Sequence, residues 1–130
     1  MDMPWKKIAL VHPDGEYLAL LTYLPLKKHR TIPRFLWSTF AIQKQLTGSA
    51  GILGYALRAK PLEKNFWTVS AWLDEKSLMD FVLRIPHSQV MKALAPDMGS
   101  TEFIRWRVAG SDVPLRWQAA MERAKQEAQP

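Results

Sequence analysis

Asn65 to Leu73 constrains the fold of this 130-residue chain more than any other segment. Phe, Trp, Thr and Val dominate it, and these residues favour β-strands. Successive side chains of a strand point to opposite faces of its sheet. One face of this strand would carry Phe66, Thr68, Ser70 and Trp72, and the other Trp67, Val69, Ala71 and Leu73. Because both sets are largely apolar, we expect a sheet that needs a cover on each side.

Four further segments are predicted to be strands. They are Lys7–Val11, Tyr17–Leu26, Ile52–Ala59 and Thr101–Val108. Pro13-Asp14-Gly15 has turn chemistry, because proline presets one backbone angle and glycine permits a positive φ. The first two runs are therefore predicted to form a hairpin, with Lys7–Val11 as its first strand.

Helical spacing alternates with these strands. Phe35, Thr39, Ile42 and Leu46 recur at intervals of four, three and four and predict a helix over 32–46. Asp74 is a favourable N-cap for a second helix, which Pro86 must interrupt. A short continuation is expected over 87–94, and a charged terminal helix over 114–128.

This order, β-α-β-β-α-β with a terminal helix, predicts an α+β fold of the ferredoxin-like split β-α-β type. That fold has a four-stranded antiparallel sheet with its helices on one face. The whole chain, residues 1–130, is expected to be one domain, with a core over about 7–110 and a peripheral C-terminal helix. Helices cover only one face, so a second sheet from a homodimer is the expected cover of the other.

Charge and composition exclude several classes of function. The net charge is +6, but the basic residues are scattered except around Lys27 to Arg34, so we expect no nucleic-acid partner. The chain has no cysteine, which excludes disulfides, thiolate metal sites and cysteine nucleophiles. No apolar run reaches the roughly 20 residues of a membrane span. The run after Lys7 is too short for a signal peptide. We therefore expect a cytoplasmic protein without a membrane partner.

Several motifs resemble a known family. They are Phe66-Trp67-Thr68-Val69-Ser70-Ala71-Trp72, then Asp74-Glu75, Leu78, Phe81-Val82 and Pro86-His87. Over about residues 17–110 the chain resembles an uncharacterised bacterial family related to the antibiotic-biosynthesis monooxygenases and the spheroidene-monooxygenase-like proteins. The resemblance implies the dimeric α+β barrel, in which two ferredoxin-like sheets close into one barrel.

Relatives of this kind include cofactor-independent oxygenases of polyaromatic substrates and haem-degrading oxygenases. The haem-degrading members have an axial histidine near the end of the second helix, and that position falls near Met91 here. His87 lies one turn earlier. We therefore expect no cofactor, with haem as the alternative, and no metal site.

The candidate site is a pocket between the helices and the sheet for an apolar aromatic or polyene molecule. Its predicted substrate-binding residues are Thr22, Trp37, Phe40, Ser70, Trp72, Phe81, Arg105 and Trp106. His87 is the predicted catalytic acid or base, because imidazole titrates near neutral pH. A structural interpretation stays open for each: His87 as a cap at a helix junction, and the tryptophans as core. The two functional hypotheses are a small monooxygenase and a non-catalytic ligand-binding or interaction homodimer.

Overall fold

The computed structural model describes residues 2–84 and 87–128, without the side chains of residues 87, 88, 90, 127 and 128. The strands are β1 (Lys6–Lys7), β2 (Glu16–Pro25), β3 (Ile52–Lys60), β4 (Asn65–Trp72) and β5 (Glu102–Ala109). The helices are α1 (Ile32–Thr47), α2 (Glu75–Leu83), α3 (His87–Leu94) and α4 (Trp117–Ala128). Short 3-10 turns occupy the segments around residues 30, 62, 96 and 111.

The strands form one antiparallel sheet in the order β1-β3-β4-β2-β5. Its four long strands follow the predicted ferredoxin-like order, so the α+β prediction is confirmed. The predicted four-stranded sheet is corrected to five strands, because β1 adds an edge beside β3.

The N-terminal strand differs from its prediction in length and in partner. Only Lys6–Lys7 is extended and paired, and Lys6 lies opposite Tyr55 rather than opposite a residue of β2. The turn at Pro13-Asp14-Gly15 does form, with the Gly15 N–H donating to the His12 carbonyl at 2.9 Å. That turn leads into β2 without closing a hairpin, because the preceding segment already follows the free edge of β3. The hairpin prediction was wrong.

Local sequence signals account for the helix ends. Pro33 lies in the first turn of α1, where the missing N–H leaves no bond unmade. The Asp74 carboxylate caps α2 by accepting from the Ser77 N–H at 2.8 Å and the Ser77 hydroxyl at 2.7 Å. These bonds lower the pKa of Asp74. The second helix ends before Pro86, since Arg84 is already extended.

The front face of the sheet, which carries Leu20, Leu24, Phe66, Ser70 and Trp72, is covered by α1, α2 and α3. Two clusters of buried residues anchor this cover. One joins Phe66 and Leu24 to α1 and α3, and the other joins Trp72 to α2.

The rear face of the sheet, which carries Ala19, Leu21, Ala56, Val69 and Trp106, is covered by α4 and the N-terminal segment. Ala120 of α4 is fully buried against it, with Trp117, Met121 and Ala124 beside it. From the other side Trp5 reaches across Gly54, where a Cβ would lie 2.5 Å from the indole.

The terminal helix is therefore not peripheral. It supplies from within the chain much of the cover that the sequence assigned to a partner sheet. A homodimer stays a prediction, and the apolar rear face no longer requires one.

None of the helices within residues 2–84 and 87–128 is long and apolar enough to cross a membrane.

Candidate functional site

A cavity of about 490 Å³ lies between the front face and the three helices that cover it. That volume is within the range of small-molecule sites. Its apolar walls come from strands and helices together, with Leu20, Leu24 and Leu57 from the sheet and Phe35, Ile42, Leu46, Leu78, Phe81, Val82, Met91 and Leu94 from the helices. Such a lining favours a molecule with little polar surface.

The strand register concentrates polar groups in the floor of the cavity. One row across the sheet consists of Tyr55, Ser70, Leu20 and Arg105, each opposite the next. The neighbouring row consists of Leu57, Thr68, Thr22 and Phe103. All eight residues line the cavity. The floor therefore offers a phenol, three hydroxyls and a guanidinium within an otherwise apolar enclosure, and such groups fix the orientation of a ligand.

Trp72 and Ser70 form the innermost polar contact of the floor. The Trp72 indole N–H donates to the Ser70 hydroxyl at 2.9 Å, and both residues are buried. The Trp72 ring packs against Phe81 with 5.3 Å between ring centroids. Because Ser70 accepts from the indole, its own hydroxyl proton can be donated to a ligand. This pair combines an aromatic wall with an oriented donor.

Arg105 lies at the mouth of the cavity on β5, the outermost strand. Its guanidinium donates to the Glu75 carboxylate at 2.7 Å, and 44% of its side chain is exposed. The neighbouring lining residue Phe103 is 57% exposed. The entrance is therefore on the β5 side, and Arg105 places a positive charge there. A ligand oxygen that carries negative charge would be stabilised at that point.

Five of the predicted site residues line this cavity: Thr22, Ser70, Trp72, Phe81 and Arg105. Their contribution to binding stays a prediction. The strand register explains why the polar members meet, since alternate residues of β2, β4 and β5 share the front face.

Trp37, Phe40 and Trp106 are corrected, because the structure does not bring them to the cavity. The side chains of Trp37 and Phe40 are 78% and 67% exposed on the outer side of α1. Trp106 is one residue out of phase with Arg105 and packs on the rear face, in the clusters beneath α4. Where apolar residues occupy more than one side of a helix, as in α1, the sequence does not show which side packs against the sheet.

His87, the predicted catalytic residue, is the first residue of α3, and its side chain lies outside the described residues. The sequence reasoning missed Tyr55, Thr68, Thr39 and Gln43, which line the cavity. Alternation along β3 and β4 was the available signal, because Tyr55 and Thr68 share the face of Leu57 and Ser70. On α1, Thr39 belongs to the predicted stripe of Phe35, Ile42 and Leu46, whereas Gln43 had no such signal.

The described lining does not fit a haem held by a histidine. Within residues 2–84 and 87–128, no group of three histidine, cysteine or carboxylate side chains could hold a metal ion. Met79 and Met91 bring thioethers to the cavity, but no described lining residue is a histidine.

Comparison of the sequence with protein families and curated proteins gives no match. The fold, in contrast, matches solved structures. An antibiotic biosynthesis monooxygenase superposes with a TM-score of 0.63 at 12% identity, covering 68% of this chain and 95% of that one. SnoaB, a cofactor-independent oxygenase from Streptomyces nogalater, superposes with a TM-score of 0.59 at 10% identity, and the match covers 71% of this chain and 92% of that one.

A conserved protein from Methanosarcina mazei Go1 superposes with a TM-score of 0.63 at 13% identity, covering 69% of this chain and 90% of its own. Two other matching structures are longer, and this chain spans 45% and 49% of their lengths. The resemblance read from Phe66 to His87 is thus confirmed at the level of the fold. The chain has the ferredoxin-like fold of antibiotic-biosynthesis-monooxygenase-like proteins.

Proposed function

We propose that this protein binds an apolar polycyclic aromatic molecule in the front-face cavity and oxidises it with molecular oxygen, as a monooxygenase without a resident cofactor. The observation that carries the proposal is the cavity itself. Its walls are apolar, while its floor holds the row of Tyr55, Ser70 and Arg105. The shared fold with SnoaB, a cofactor-independent oxygenase, supports the same class of reaction.

The reaction class balances without an external reductant. An anthrone-type substrate carries a CH₂ group across the central ring from its carbonyl, and oxygen converts the CH₂ to a second carbonyl with release of water. One oxygen atom enters the product and the other leaves as water, so the four electrons that O₂ takes up come from the substrate. The protein need only favour the electron-rich anion that reacts with oxygen.

Three features of the cavity favour that anion. The Glu75 carboxylate offsets part of the charge of Arg105, but the remaining guanidinium N–H groups can donate to an anionic oxygen at the mouth, which lowers the pKa of a nearby acidic C–H or phenol. The Ser70 hydroxyl can donate to the developing enolate oxygen, the kind of stabilisation that makes an oxyanion hole effective. Trp72 and Phe81 provide aromatic surface against which fused rings pack. His87, by its predicted role, would accept the proton.

Oxygen uptake with anthrone, in the presence of EDTA, tests the proposal. Wild type should consume one O₂ per anthrone above the uncatalysed rate, with anthraquinone as product. Arg105→Gln should lower kcat/KM by at least tenfold. Arg107→Gln is the matched control, because Arg107 is on the same strand and face but is not among the cavity residues. Uptake at the uncatalysed rate, or equal loss in both variants, would contradict the proposal.

A second function, ligand binding without oxidation, is favoured by one observation. The described cavity residues include neither a histidine nor a carboxylate, so they supply no strong general base. This function predicts that anthraquinone and anthrone bind with similar affinity, while anthrone is consumed no faster than in buffer. The oxygen-uptake measurement separates the two functions.

A further inference from the structure

The outer side of α1 exposes a group of large apolar side chains. Leu36, Trp37 and Phe40 are 39%, 78% and 67% exposed, and the rings of Trp37 and Phe40 touch edge to face with 6.4 Å between centroids. We call these three residues the α1 patch. Burial of an exposed indole or phenyl ring is favourable, because it removes apolar surface from water. Such a patch indicates an interaction surface.

The helix geometry separates the α1 patch from the cavity. Phe35, Ser38, Thr39, Ile42 and Leu46 line the cavity from the inner side of α1. At 100° per residue, Trp37 and Phe40 point away from that set. The patch is therefore not part of the cavity wall, and no reorientation of a single side chain brings it there.

The segment of sequence that contains the α1 patch is rich in positive charge. The sequence from Tyr17 to Leu62 contains no aspartate or glutamate but seven lysines and arginines, namely Lys27, Lys28, Arg30, Arg34, Lys44, Arg58 and Lys60. Arg34, Arg58 and Lys60 form ion pairs with Asp97, Asp2 and Glu63. Among the residues that the structure describes, Lys28, Arg30 and Lys44 have no carboxylate partner.

These three cations flank the α1 patch. Lys44 follows Phe40 by four residues and Trp37 by seven, so it lies on the same side of α1. Arg30 lies in the 3-10 turn that leads directly into the helix, with Lys28 just before it. The surface thus combines tryptophan and phenylalanine with lysine and arginine at both ends.

We propose that the α1 patch docks this protein on an anionic lipid bilayer. Aromatic rings on one side of a helix enter the headgroup boundary, and the flanking cations bind anionic headgroups. A protein partner would complement the aromatic rings equally well, but cations without a described carboxylate partner at both ends of the patch, Lys28 and Arg30 before it and Lys44 after it, match a surface of uniform negative charge. This inference departs from the expectation of no membrane partner. It concerns docking on the surface rather than spanning, and it does not depend on the reaction in the cavity.

Vesicle flotation tests this inference with the full chain. Vesicles of phosphatidylcholine alone are compared with vesicles of equal parts phosphatidylcholine and phosphatidylglycerol. We expect binding to the anionic vesicles that weakens as salt is raised, and little binding to the neutral ones. The double variant Trp37→Ser/Phe40→Ser should lose at least tenfold in affinity. Leu62→Ser is its control, because Leu62 is 91% exposed outside the patch.

The electrostatic part has its own matched pair of variants. Lys28→Gln/Lys44→Gln should weaken binding to anionic vesicles by about fivefold for each charge removed. Lys6→Gln/Lys7→Gln removes two exposed charges from β1, an edge strand outside α1, and should have a smaller effect. All seven substituted positions are exposed, so folding should be retained in every variant.

Three results would overturn the inference. One is equal binding to neutral and anionic vesicles, and another is equal loss in the patch variant and the Leu62 control. The third is a change of molecular mass by light scattering, from dimer in wild type to monomer in Trp37→Ser/Phe40→Ser. That result would show that a second copy of the chain covers the patch.

Discussion

The indole N–H of Trp72 donates to the hydroxyl of Ser70, two residues earlier on the same strand face, at 2.9 Å. Alternate residues of a strand are neighbours on one face, so this contact follows directly from their spacing. The bond satisfies a buried indole and holds the Ser70 oxygen against the cavity floor. The same bond therefore contributes both to the packing of the core and to the orientation of a polar group in the cavity.

Ser70→Ala should destabilise the fold because it leaves the buried Trp72 N–H without its acceptor. An unpaired buried donor costs about 1–3 kcal/mol, which we expect in the free energy of unfolding measured by urea titration. Ser38→Ala is the comparison variant, since Ser38 lines the same cavity but is only half-buried. If both variants unfold at the same urea concentration, the bond contributes nothing to stability.

Removal of α4 should uncover the rear face. Truncation after Gly110 exposes Leu21, Val69 and Trp106, which α4 and the segment leading to it now cover. We expect the truncated chain to remain folded, to unfold at a lower temperature and to self-associate more strongly than the full chain. Size-exclusion chromatography coupled to light scattering measures this self-association as a higher ratio of the observed mass to the mass calculated from the sequence. An unchanged ratio would show that α4 does not shield the face.

The pair of Asp2 and Arg58 predicts an acid-dependent loss of stability. The Arg58 guanidinium donates to the Asp2 carboxylate at 2.8 and 2.9 Å and holds the pKa of Asp2 below its usual 3.8. A carboxyl with a depressed folded pKa stabilises the fold above its unfolded pKa, and this stabilisation is lost as the pH falls through the folded pKa.

The Asp2→Asn variant isolates that contribution. Wild type should be more stable than the variant by less than about 1 kcal/mol at neutral pH, because the pair is partly exposed. The difference should begin to shrink below pH 3.8 and should vanish once the pH is below the folded pKa. Urea titrations at neutral pH and at a series of values below pH 3.8 measure it, and a difference that does not decline over that series would assign the stability to something other than the ionised pair.

The sequence predicted the elements of the fold well where periodicity is long and unambiguous. The strand over Asn65–Trp72 and the helix over Ile32–Thr47 fall within a residue of their predicted ends. The bounds predicted for the first strand were wrong. The structure has a strand of only two residues, Lys6–Lys7, and so short a strand is determined by the sheet edge that it joins and not by its own sequence pattern. The sequence also did not predict that α4 covers the rear face. A helix with few large apolar residues gives only a weak signal of burial.

The site was predictable only in part, because register decides which residues meet. Ser70 and Arg105 were predicted separately, and pairing through Leu20 brings them into one row. Tyr55 joins the same row from β3 but has no motif around it. The prediction that Trp37 lines the cavity was wrong, because the sequence of a helix that is apolar on two sides does not reveal which side faces the sheet.

Calorimetric titration of anthraquinone into the full chain tests the central claim, that the front-face cavity binds a polycyclic aromatic molecule. Two substitutions at Thr68, in the middle of the cavity floor, give the comparison. Thr68→Val keeps the volume and removes the hydroxyl, whereas Thr68→Phe places a ring in the cavity.

We predict that wild type binds one anthraquinone per chain. The affinity of Thr68→Val should be within about threefold of the wild-type affinity, as expected for loss of one weak neutral hydrogen bond. Thr68→Phe should bind at least tenfold more weakly than wild type. Circular dichroism of each variant confirms that it is folded. Wild-type affinity in folded Thr68→Phe, or no binding heat in wild type, would contradict the account.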